Sequence, residues 1–135
     1  LGDTFVKGHI PEIKAMASSM VTAYPFLLAV AFFFASTLLY SQAATTQALV
    51  PAVILALGIT PENTGSVYII IASFAAVSAL FVLPTYPTLL GAVQMDDTGS
   101  TRIGHLVFNH PFFIPGVLAI AISVALGFVI APLML

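Results

Sequence analysis

The sequence predicts an all-α fold: a polytopic transmembrane helical fragment with a re-entrant helical hairpin and a broken helix. Three observations predict it. First, 60% of the 135 residues are hydrophobic and 6% are charged, with a mean hydropathy of +1.13. Soluble domains carry about 25% charge, so this chain cannot cover a water-facing surface. Second, residues 15–61 contain no charged side chain. Third, that run is interrupted by Ser41-Gln42-Ala43-Ala44-Thr45-Thr46-Gln47, a small polar stretch between two apolar arms, residues 24–40 and 48–59. Lipid supplies no hydrogen-bond partner to the backbone, so every N–H and C=O at that depth must be satisfied internally. A polar break there reads as a hairpin tip, buried in protein or facing a water-filled cavity.

The composition also excludes several function classes. A net charge of −2 with three Lys/Arg cannot build a phosphate-binding patch, which removes nucleic acid as a partner. There is no cysteine, hence no disulfide, thiolate metal site or cysteine nucleophile. The chain begins at Leu1 without a charged n-region and short apolar core, so it shows no signal peptide and reads as part of a longer polypeptide.

Residues 1–19 hold Asp3, Lys7, Glu12 and Lys14. Pro11 suits the first turn of a helix, and Ile10, Ile13, Met16, Ala17 and Met20 share one face. An interfacial helix and a connecting loop both fit this segment. Residues 20–60 form the predicted hairpin. The arm at 24–40 reaches about 25 Å as a helix, short of the roughly 30 Å hydrocarbon core, and the arm at 48–59 is shorter still. Two short arms around a polar break fit a re-entrant hairpin better than two full spans. Pro25 fits a first turn. Pro51 lies near the start of a helix beginning at Thr45 or Thr46, either of which could cap it.

Gly58-Ile59-Thr60-Pro61-Glu62-Asn63-Thr64-Gly65 is a turn cluster. Residues 65–95 read as a span followed by a break. The small positions Ala72, Ala75, Ala76 and Ala79 form a face suited to close helix packing. Pro84-Thr85-Tyr86-Pro87-Thr88 stops one helix and restarts another. Residues 96–110 form a polar loop, in which Asp96 and Asp97 read as turn and cap residues rather than a metal or proton-relay pair. Arg102 reads as a cytoplasmic anchor. His105 and His110 do not share a helical face, so no metal site or cofactor is expected. Residues 111–135 form a last span, bent near Pro115-Gly116. Helices are thus expected near 11–40, 46–58, 65–83, 87–95 and 111–133.

Four motifs carry a resemblance: Ser41-Gln42-Ala43-Ala44-Thr45-Thr46, Leu83-Pro84-Thr85-Tyr86-Pro87-Thr88-Leu89, Gln94-Met95-Asp96-Asp97-Thr98-Gly99 and Phe108-Asn109-His110-Pro111-Phe112-Phe113-Ile114-Pro115-Gly116. Together with Leu1-Gly2-Asp3-Thr4-Phe5, they resemble the bacterial anaerobic C4-dicarboxylate transporters of the Dcu family, of the DcuA/DcuB kind. The resemblance covers the whole chain and implies the C-terminal transmembrane portion of a longer protein. It implies exchange of fumarate, succinate, malate or aspartate across the bacterial cytoplasmic membrane during anaerobic growth. The layout is also similar, more distantly, to one inverted-repeat half of the wider ion-transporter superfamily. In the sodium carriers of that group Asn follows the Ser of the tip; here Gln42 does, so no sodium site is carried over.

A dicarboxylate needs hydrogen-bond donors and positive potential, which helix N-termini provide. Each break creates one. The candidate substrate-binding residues are Ser41, Gln42, Thr45, Thr46, Thr85, Tyr86 and Thr88. Thr22, Thr37 and Ser73 read instead as hydroxyls bonded to their own or a neighbouring helix. No residue set suggests catalysis, and no Asp, Glu, His, Lys or Arg occurs between Glu62 and Asp96. The expected partners are the dicarboxylate, membrane lipid and the remainder of the same transporter; a homo-oligomer is left open. The competing readings are a pore or channel piece, which would need rings of acidic or carbonyl groups, and a packing segment of another membrane protein.

Overall fold

The computed structural model describes residues 8–83, 85–98 and 111–135. Readings placed on residues 1–7, Pro84, Arg102, His105 and His110, and on most of the predicted polar loop, lie outside them. The described residues are helical, with no named strand and a single isolated bridge between Thr60 and Asn63.

Helix α1, Ile10–Ala23, starts with Pro11 in its first turn, where a missing N–H breaks no bond. Glu12 adds favourable charge at that end. Helix α2, Leu27–Leu39, follows after a break. The continuous helix expected over 11–40 is therefore two helices. The cause is Pro25: it forces its predecessor out of the helical region, and Tyr24 is extended at φ −140°, ψ 89°.

Helix α3, Gln42–Ala56, begins four residues earlier than expected. Ser41, rather than Thr45 or Thr46, is the cap, and its Oγ accepts from the Ala44 N–H at 3.1 Å. Pro51 consequently falls inside the helix rather than near its start. Helices α2 and α3 pack on each other, and α1 packs on both. The turn cluster takes its expected form: Gly58 is left-handed at φ 64°, and the Asn63 side-chain amide donates to the Gly58 carbonyl at 3.3 Å.

The predicted span at 65–83 is a short α-helix, α4, Val67–Ser73, running into a 3-10 helix, Phe74–Phe81. Such runs are seldom longer than about four residues. Here α2 supplies a reason. Ser36 Oγ donates to the Ala76 carbonyl (3.2 Å), and Thr37 Oγ1 donates to the Ala79 carbonyl (3.1 Å). Both carbonyls find partners across the interface, and Ala79 is non-helical at ψ 35°. The small face packs closely, as its composition anticipates: Ala72, Ala76 and Ala79 are buried, while Ala75 is half-buried.

Helix α5, Pro87–Met95, restarts after the second break and ends at Asp96, whose carboxylate accepts from the Thr98 N–H. Helix α6, Phe113–Met134, has 22 residues and is long and apolar enough to cross a membrane. Pro115 lies in its first turn. It packs on α4 and the 3-10 helix through two glycines. A Cβ on Gly127 would stand 2.7 Å from Ala72 Cα, and one on Gly116 would stand 2.4 Å from the Phe81 ring. On its other side α6 exposes Leu118, Ile122, Leu126 and Val129. Phe32, fully buried, centres a core with Leu28, Ala29, Ile69, Ala76 and Val77, against which Val50 and Val53 of α3 and Val124 of α6 pack.

Candidate functional site

The site is built where two interruptions of the chain meet. The first is Tyr40-Ser41, between α2 and α3. Tyr40 closes α2 in a left-handed conformation, φ 51° and ψ 25°, and its N–H still reaches the Ser36 carbonyl at 3.0 Å. Ser41 turns extended and caps α3. The second lies before α5, where Tyr86 is extended at ψ 129° and Pro87 opens the helix. A hydrogen bond joins the Tyr40 and Thr85 hydroxyls. The Tyr40 and Tyr86 rings stack with centroids 6.1 Å apart and planes at 6°. Farther along, Gln42 Nε2 donates to Ser78 Oγ at 2.9 Å, tying the first turn of α3 to the 3-10 helix.

Each candidate residue can now be placed. Ser41 and Gln42 form the N-terminal end of α3. Thr45 is fully buried, and its Oγ1 donates to the Ser41 carbonyl at 2.8 Å. Thr46 Oγ1 donates to the Gln42 carbonyl at 2.8 Å. Those two hydroxyl protons are committed within α3. Thr85 and Thr88 are exposed and Tyr86 is half-buried. The contacts bring Thr85 and Tyr86 against the first break through Tyr40; the hydroxyls of Thr45 and Thr46 bond locally instead. Among the residues assigned to packing, Thr37 bonds its own turn at the Phe33 carbonyl (2.8 Å) as well as the neighbouring segment. Ser73, read from the sequence as bonded to its own or a neighbouring helix, is instead buried with no hydroxyl partner among the described residues.

Tyr40 and Ser78 belong to this junction but were not among the candidates. Tyr40 closes an apolar arm in the sequence, and only its position directly before the polar tip could have drawn attention to it. Ser78 sits among alanines with no local signal; it is joined to Gln42 only by tertiary packing.

Among the described residues that form the junction, the electrostatics are those of backbone, hydroxyl and amide groups. No charged residue occurs in 15–61 or 63–95. In α3 the Ala44 N–H is taken by Ser41 Oγ and the Thr45 N–H by the Ser41 carbonyl at 3.0 Å. The N–H groups of Gln42 and Ala43 have no acceptor within the helix. In α5, Pro87 has no N–H, and the first-turn donors are those of Thr88 and Leu89. Two helix N-termini, each with about half a positive charge, thus follow directly on two residues in contact. This arrangement suits a small anion held without a fixed cationic side chain. Among the described residues, no group of three or more His, Cys, Asp or Glu could hold a metal ion.

Comparison with known proteins follows the same line. A family model described as anaerobic C4-dicarboxylate membrane transporter matches residues 1–135. The C4-dicarboxylate transporter DcuA of Helicobacter pylori is 67% identical over all of this chain, which covers 30% of that protein. DcuA of Escherichia coli K12 is 60% identical with the same coverage. The anaerobic C4-dicarboxylate transporter DcuB of Escherichia coli O6:H1 is 37% identical over 97% of this chain and 28% of its own length. The chain spans about a third of the length of these relatives. No solved structure matches it. With its apolar composition and its long exposed helix α6, this chain is part of a membrane protein and belongs to the family of anaerobic C4-dicarboxylate membrane transporters.

Proposed function

We propose that the full-length protein is a multi-pass secondary transporter of the bacterial cytoplasmic membrane, exchanging fumarate, succinate, malate or aspartate. This chain contributes one side of the substrate site, with Ser41, Gln42, Thr45, Thr46, Thr85, Tyr86 and Thr88 around the dicarboxylate. Helices α2 and α3 act as a re-entrant hairpin, and the 3-10 helix with α5 acts as the broken helix of one inverted-repeat half. The observation that carries this reading is the contact of Tyr40 with Thr85 and Tyr86, which joins the two breaks. It sets the N-termini of α3 and α5 beside one junction, and helix ends at broken membrane helices are a recurrent way to hold anionic substrates. The names of the relatives supply the substrate class. In this reading Thr45 and Thr46 shape the tip, while the outward donors are Thr88, Thr85 and the first-turn N–H groups.

The test is counterflow. Full-length protein in liposomes preloaded with unlabelled fumarate should accumulate labelled fumarate, and should do so less with an empty lumen. Equal uptake with and without internal dicarboxylate would remove the exchange mechanism. No uptake of any of the four dicarboxylates would remove the substrate assignment.

A further inference from the structure

Tyr40 is, among the described residues, the one non-glycine with a positive φ. Glycine takes that conformation without steric cost, and Gly58 does so just after α3. A helix that only had to stop before Ser41 would be served by glycine. The residue here is a tyrosine, and both parts of its side chain are engaged. Its ring lies on Tyr86, and its hydroxyl meets Thr85.

We propose that Tyr40 is a substrate-contacting residue, forming with Thr85 a hydroxyl pair that donates to one carboxylate of the dicarboxylate. The proposal rests on the transporter reading above. Its argument is a proton count. A tyrosine and a threonine hydroxyl carry one proton each. Their mutual hydrogen bond uses one and leaves one O–H to be donated elsewhere. Thr45 and Thr46, by contrast, have given their protons to the Ser41 and Gln42 carbonyls. The pair therefore keeps one hydroxyl proton to donate at the junction of the two breaks, next to helix N-termini and within stretches of sequence, 15–61 and 63–95, that carry no charged residue. An ionised acceptor is the strongest partner for such a donor, and a carboxylate has lone pairs for it.

The decisive variant is Tyr40→Phe in the full-length protein, because phenylalanine retains the ring and removes only the hydroxyl. Fumarate affinity is read by calorimetry in detergent, and stability by thermal unfolding. The expected result is a Kd raised at least about tenfold with an unchanged Tm. Thr85→Val should weaken binding similarly. The double variant should lose less than the two single losses combined, because both break one pair. Tyr68→Phe, whose ring meets Phe128 edge-on away from the breaks, should bind as the unaltered protein does. Unchanged affinity in Tyr40→Phe alongside a tenfold loss in Thr88→Val overturns the proposal and leaves the site reading standing. A lowered Tm with unchanged affinity assigns Tyr40 a purely structural role and also overturns it. Unchanged affinity in both Tyr40→Phe and Thr88→Val removes the site reading itself. Should Tyr40→Phe fail to accumulate, Thr85→Val decides: a tenfold loss supports the pair, and unaltered affinity rejects it.

Discussion

The rings of Tyr40 and Tyr86 are stacked nearly parallel, at 6° with centroids 6.1 Å apart, although one ends α2 and the other precedes α5. Two of the places where the chain leaves helical geometry are therefore in contact in the fold. This has a physical logic. Each break frees backbone groups that cost several kcal/mol if left bare in lipid. Several are satisfied locally: the Tyr40 N–H by Ser36 and the Tyr86 N–H by Leu83 (3.3 Å). In the proposed re-entrant arrangement, gathering the remainder at one polar junction would limit how much of the membrane interior has to accommodate them.

The hydroxyls of Ser36 and Thr37 hold α2 against the 3-10 helix. Thr37→Val would leave the buried Ala79 carbonyl without its donor, at a cost of about 1–3 kcal/mol. Thermal unfolding of the full-length variant should register this loss, while its fumarate affinity changes little. An unaltered Tm would mean that the cross-helix bond is not needed to hold the 3-10 segment.

Close packing of α6 on α4 depends on Gly127. An added methyl there meets Ala72 backbone atoms at 2.7 and 3.0 Å, which cannot move aside as a side chain end could. Gly127→Ala should destabilise the protein by roughly 1–3 kcal/mol, the usual cost of overpacking. Gly91→Ala in α5, where nothing lies within 4 Å, should be neutral or slightly stabilising, by up to about 1 kcal/mol. A ranking of the two Tm values in the opposite order would contradict this interface.

The proposed substrate site predicts the same loss of binding but different stability for two threonines. Thr88 is exposed at the start of α5, and Thr88→Val should weaken fumarate binding at least about tenfold through loss of a donor to a charged ligand without lowering the Tm. Thr45→Val should weaken binding by as much. It should also reduce stability, because the buried Thr45 hydroxyl anchors the Ser41 carbonyl. If both variants bind fumarate as the unaltered protein does, the dicarboxylate sits elsewhere.

The 135-residue chain reconstituted alone should show no fumarate counterflow under conditions where the full-length protein does. In the proposed inverted-repeat arrangement a site between two repeats requires both, and here Leu118, Ile122, Leu126 and Val129 of α6 are exposed. Counterflow by the isolated chain would show that one side of the site suffices.

What the sequence determined by itself follows from composition and local chemistry. Few charges and long apolar runs dictate a membrane protein. Ser41 to Gln47, the cluster from Gly58 to Gly65 and the two prolines Pro84 and Pro87 mark the interruptions, because polar, glycine and proline residues act on the backbone within a few positions of themselves. The four motifs beginning at Ser41, Leu83, Gln94 and Phe108, taken together with Leu1 to Phe5, also carried the family resemblance. Three features were decided only by tertiary structure. The 3-10 geometry of Phe74–Phe81 accompanies hydroxyls donated from α2, and nothing in an alanine-rich run announces it. Ser41 took the cap that Thr45 and Thr46 could also have supplied, and this redirected both threonine hydroxyls to carbonyls of their own helix. Finally, Tyr40 became part of the junction. Its ring and hydroxyl meet residues more than forty positions away, and no local pattern encodes a partner at that distance.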